Sequence, residues 1–116
     1  MISSIRHVGF VVSDLENSLK FYSDILGLKI YRRFIEEGDF IDSLTGIKNV
    51  KLEWAKLIIP QGGLIELLQY HSHPDPDTSN NLSRSSSNRL GCSHVALTVE
   101  NLSTLHQEII SNGFSC

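Results

Sequence analysis

The sequence predicts an α+β fold of paired βαβββ modules, the first complete and the second represented only by its first strand and helix. Two observations carry this. His7-Val8-Gly9-Phe10-Val11-Val12-Ser13-Asp14-Leu15 aligns without a gap on His94-Val95-Ala96-Leu97-Thr98-Val99-Glu100-Asn101-Leu102. Each copy is a strand-like alternation ending in a helix-start signal, and an internal repeat of this kind points to a duplicated unit. In addition, the first 70 residues run strand, helix, strand, strand, strand, each change marked by a turn or cap residue.

Residues 5–12 alternate with a period of two, so His7, Gly9 and Val11 face one way and Val8, Phe10 and Val12 the other. Ser13-Asp14 offers an N-cap, with Asn17 in place of the Glu of a full capping box. Leu15, Leu19, Tyr22 and Leu26 recur at helical spacing, widened by Phe21 and Ile25, and Gly27 is placed to end that helix in the left-handed conformation. Residues 28–34 read as a second strand and Glu36-Glu37-Gly38-Asp39 as a turn. Residues 40–46 read as a short helical turn capped by Asp39. Residues 50–59 form a long strand stopped by Pro60-Gln61-Gly62-Gly63, and residues 64–70 the next strand. Residues 71–92, rich in Ser, Asn and Pro, read as a linker. The second module starts at 93 with a strand over 93–99, a cap at Asn101 and a helix over 102–111 stopped by Asn112-Gly113. Its three further strands have no counterpart before Cys116, so an open sheet edge is expected.

Composition narrows the function classes. The 116 residues include 41% hydrophobic and 20% charged residues, ordinary for one globular domain. A net charge of −3 with no basic patch argues against nucleic acid, and the apolar runs are too short to span a bilayer. Cys92 and Cys116 lack metal-binding spacing, and two unpatterned cysteines with no secretory signal suggest a reduced, cytoplasmic protein.

The strongest chemical constellation is His7, Glu66 and His94. Glu66 interrupts the apolar run Leu64-Ile65-Glu66-Leu67-Leu68, and a carboxylate inside a buried strand is costly unless a partner or metal balances it. Two imidazoles and one carboxylate suit a divalent zinc, nickel, iron or manganese ion, with a position left for water or substrate. Singly, each of the three is more often an ordinary strand residue, and Arg6, Arg32 and Arg33 are available to pair with Glu66. The equivalent placement of His7 and His94 in the repeat raises the metal reading. His71 and His73 form a second cluster whose Pro and Ser context reads rather as a solvated loop, and His106 reads as a surface residue. Trp54 and Tyr70 read as core or pocket wall, and Lys51, Glu53 and Lys56 as the polar side of one strand. Arg32, Arg33 and Lys51 are candidates for an anionic substrate, with solvation the commoner role for each.

The run from His7 to Leu28, with Asp14-Leu15, Phe21-Tyr22 and Leu26-Gly27-Leu28, resembles the opening module of the vicinal oxygen chelate superfamily. That superfamily includes glyoxalase I, methylmalonyl-CoA epimerase, extradiol dioxygenases and the bleomycin and fosfomycin resistance proteins. Residues 64–68 resemble the last strand of that module, and residues 93–99 the opening of the second. The resemblance implies a glyoxalase-like cup around a divalent metal ion, with ligands mapping onto His7, Glu66 and His94. The usual fourth ligand, a Glu in the final strand of the second module, has no counterpart. It implies an enzyme like a lactoylglutathione lyase, isomerising a small oxygenated substrate through an enediolate, with Glu66 or that missing Glu moving the proton. A metal-free, ligand-sequestering protein of the same fold is the alternative, together with epimerase-like or dioxygenase-like enzymes. A homodimer or strand-exchanged assembly is expected to complete the sheet.

Overall fold

The structure is a computed structural model that describes residues 1–76, 88, 90 and 94–116. The first strand, β1 (His7–Val11), leads into α1 (Leu15–Leu19). Asp14 caps that helix as expected, its carboxylate accepting from the Asn17 N–H at 3.0 Å. The helix widens into a π-helical turn over Lys20–Ile25, closed by the Leu26 N–H donating to the Phe21 carbonyl at 3.0 Å. Gly27, at φ 73°, then reverses the chain.

Strand β2 (Lys29–Glu36) follows, then α2 (Asp39–Thr45), β3 (Leu52–Ile58) and β4 (Leu64–Tyr70). The expected cap at Asp39 is corrected: Gly38, at φ 103°, holds the cap position and Asp39 begins the helix. The carboxylate that organises this region is Asp42, which accepts from the N–H groups of Asn49 at 2.7 Å and Val50 at 3.0 Å.

Among the described residues the strands form one sheet in the order β1-β4-β3-β2, with β1 parallel to β4 and the other pairs antiparallel. The Leu64 N–H donates to the Arg6 carbonyl at 3.1 Å, and this approach explains Gly63: a Cβ there would stand 2.9 Å from the carbonyl oxygens of Ile5 and Arg6.

Alternation gives the sheet two unlike faces. One carries Ala55, Leu57, Ile65 and Leu67, packed with Leu15 and Leu19 of α1, with Phe10, Val12 and Leu97 against them. Across the other face Leu52 and Trp54 meet Ile41 and Val50, with Leu68 and Tyr70 alongside, so α2 covers only part of it. Among the described residues no helix packs on the rest of that face, along β1, β4 and the adjoining part of β3.

The helix expected at 102–111 is present as α3 (Leu102–Ser111), capped by Asn101, whose side chain accepts from the Thr104 N–H at 3.1 Å. It docks on the π-helical turn, with Phe114 and Phe21 ring centroids 5.1 Å apart.

The strand expected over 93–99 is corrected for its described part. Residues 94–99 form no strand; the segment is mostly exposed, with Leu97 turned onto the core. Alternation prepares a segment for a sheet, but a strand exists only where a neighbour satisfies its backbone groups. The 71–92 linker and Cys92 fall largely or wholly outside the described residues, whereas Cys116 is exposed.

Candidate functional site

Register decides which side chains share the open face. Gly9 pairs with Glu66, Glu66 with Lys56, and Lys56 with Arg32, so these four residues form one row across all four strands. His7 is paired with Leu64, two residues along from the row. Arg32 reaches this face because the β2/β3 register shifts between Ile30 and Arg32: Ile30 pairs with Leu57 on the helix side, Arg32 with Lys56 on the open side. Tyr31 is the extra residue, and a bulge of this kind re-aims the side chain that follows it.

Glu66 lies at the centre. Its side chain is 12% exposed; Oε2 lies 3.1 Å from His7 Nε2 and Oε1 lies 3.4 Å from Lys56 Nζ. A carboxylate so far withdrawn from water requires such partners. The Lys56 ammonium also stands 4.5 Å from the centroid of the Trp54 ring. The Arg32 guanidinium lies 5.9 Å from the same ring and 5.7 Å from that of Phe34. Gly9 keeps the space beside the carboxylate open, since a Cβ there would stand 3.8 Å from Glu66 Oε2 and 3.2 Å from Leu68 Cδ1.

Of the three residues singled out as ligands, the fold therefore brings His7 and Glu66 together. His94 is exposed on the segment 94–99 and does not join them. Among the described residues no group of three or more His, Cys, Asp or Glu side chains is arranged to hold a metal ion. Imidazole nitrogen and carboxylate oxygen are fitting donors for a borderline divalent cation, and the pair fits as two of its ligands.

Lys56 does not join Glu53 on one polar side of the strand as expected: β3 alternates, so Lys56 shares the face of Trp54 while Glu53 shares that of Ala55. Counting parity from Trp54 is enough to find it.

Glu53 instead organises a second polar cluster on the helix side. It accepts from Arg33 Nε at 2.7 Å, and His71 Nε2 lies 2.7 Å from its other oxygen. Arg33 also pairs with Glu16 of α1. Burial pushes the Glu53 carboxyl up, but hydrogen bonds from His71 and Arg33 together outweigh it and hold the group below its ordinary range. Hydrogen bonds to Glu16 and then to Glu53 raise Arg33. Of the His71–His73 cluster, His71 is engaged by Glu53, and His73 holds a left-handed backbone conformation at φ 51°. His106 is exposed, as expected.

Residues 4–116 match the Glyoxalase family, described as the Glyoxalase/Bleomycin resistance protein/Dioxygenase superfamily. The chain belongs to that superfamily. It is similar to a glyoxalase family protein from Bacillus cereus, with 25% identity and a TM-score of 0.84, over 97% of this chain and 74% of that one. It shares its fold with the trypanothione-dependent glyoxalase I of Leishmania major, at 21% identity and a TM-score of 0.63, over 96% of this chain and 67% of that one. No curated protein is significantly similar to it. The fold is therefore α+β with one glyoxalase-like βαβββ module, α2 being an addition between its second and third strands. No described helix is long and apolar enough to cross a membrane.

Proposed function

We propose that the open face is the active site of a metal-dependent, glyoxalase-type lyase or isomerase acting on a small oxygenated substrate, with His7 and Glu66 as two metal ligands. His94 is the proposed third ligand. It comes from the segment 94–99 of this chain, or of a second copy docked along the open edge of β1, in a cytoplasmic dimer. The observation that carries this reading is the 3.1 Å approach of His7 Nε2 to Glu66 Oε2 on an open face in a member of this superfamily.

A divalent cation held there supplies polarisation of two neighbouring substrate oxygens. The protein's own part is proton transfer and charge balance. Glu66 Oε1 takes a proton from the carbon beside the substrate carbonyl and returns it to the neighbouring carbon. Lys56 keeps that oxygen oriented through its ion pair, and Trp54 supplies an apolar wall beside it.

A non-catalytic small-molecule binder of the same fold is the second reading. It is favoured by one observation: Lys56 already balances Glu66, while the described residues bring only two donors together. Turnover of the hemithioacetal of methylglyoxal and glutathione, assayed with added zinc, nickel or manganese, separates the two. The enzyme reading expects activity that His7→Ala abolishes; full activity in that variant contradicts it, and saturable ligand binding without metal binding establishes the binder.

A further inference from the structure

We propose that Arg32, Lys56 and the rings of Trp54 and Phe34 form a subsite for one carboxylate of a small ligand whose apolar body lies on the open face. The proposal deepens the reading of this face as a small-molecule site, but it does not depend on the metal.

Three observations point to it. The first is charge. The row across the sheet carries the cations Arg32 and Lys56 and the single anion Glu66, so it bears one net positive charge in a chain whose overall charge is −3. One carboxylate balances that surplus; a dianion exceeds it.

The second is the state of Arg32. Among the described residues its guanidinium meets two aromatic rings and no carboxylate, whereas the neighbouring Arg33 is held by Glu16 and Glu53. A guanidinium laid on rings keeps its planar fork of N–H donors available for a bidentate oxyanion. Glu36, which shares the open face, stands four residues further along β2, roughly 13 Å away at strand rise.

The third is the register shift at Tyr31. Without it Arg32 would share the side of Ile30, which pairs with Leu57 against the helices. The extra residue delivers the guanidinium to the open face, next to Lys56 and in line with Glu66. A carboxylate bridging Arg32 and Lys56 sets the rest of the ligand over Trp54, towards Glu66 and His7.

Trp54 is the only tryptophan, so its fluorescence reports directly on this subsite. The test is a titration of the full chain with 4-phenylbutyrate and with its uncharged amide, in EDTA and at low ionic strength. The carboxylate is expected to bind about tenfold more tightly than the amide, and the preference to shrink as salt is added. Arg32→Gln is expected to erase the preference and Arg32→Lys to retain part of it. Lys20→Gln, at an exposed position of the π-helical turn, is expected to leave it intact. EDTA removes metal ions from every arm, so the outcome stands apart from the metal reading. Equal affinity for the two probes, no saturable signal with the carboxylate, or an undiminished preference in Arg32→Gln would each overturn the proposal.

Discussion

His7 Nε2 reaches Glu66 Oε2 at 3.1 Å although the two residues are not register partners: His7 stands opposite Leu64, and Glu66 opposite Gly9. The contact is diagonal, and it passes beside the one position of β1 on this face that has no side chain. The site thus depends on a residue that takes no part in it. A Cβ at Gly9 would stand 3.2 Å from Leu68 Cδ1 and 3.8 Å from Glu66 Oε2, so Gly9→Val crowds the carboxylate and its apolar neighbour. We expect loss of metal or ligand binding with a stability cost of only about 1–2 kcal/mol, since β1 is an edge strand. Thermal unfolding beside a binding titration measures both.

The Glu53 cluster predicts a pH dependence of stability. The folded-state carboxyl titrates below its ordinary value of 4.5, so its contribution is complete above that value and is lost as pH falls through the lower folded one. Glu53→Gln is expected to flatten the acid side of the stability curve and to cost about 1–3 kcal/mol near neutrality. Urea unfolding across pH 3 to 7, at roughly half-unit steps around the ordinary Glu range, reads both effects. An unchanged acid limb would show that the cluster makes no such contribution.

The core prediction rests on β3. Leu57 is fully buried between α1 and β4, and Leu57→Ala leaves a cavity costing about 2–5 kcal/mol. Chemical denaturation should show the loss without a change in slope.

The cap of α3 predicts a local effect. Asn101→Ala removes the bond to the Thr104 N–H and is expected to cost about 1 kcal/mol. Hydrogen exchange should then quicken in residues 102–111 and stay unchanged in β3 and β4.

What could be read in advance follows from how far each cause reaches along the chain. Asp14, Gly27 and Asn101 act within three or four residues of their own positions, and each was legible as a cap or stop. Alternation alone put His7 and Glu66 on a common face. Lys56 required parity to be counted from Trp54. The sequence around His71 reads as a polar loop because its partner, Glu53, is 18 residues away in the chain. The bulge at Tyr31 has no sequence signature, so Arg32 and Arg33 looked alike although they face opposite sides of the sheet. Residues 94–99 carry the same alternation as β1 yet form no strand, because β1 has β4 beside it and they have no ladder partner among the described residues.

The central claim is that His7 and Glu66 together bind a divalent cation. Electron paramagnetic resonance of added Mn²⁺, read as the loss of free-ion signal on titration with the full chain, tests it most directly. The account predicts saturable binding in the wild type that His7→Ala and Glu66→Gln each weaken by about tenfold or more, while Arg33→Gln leaves it unchanged. Binding that survives both substitutions at full affinity, or no binding in the wild type, contradicts it.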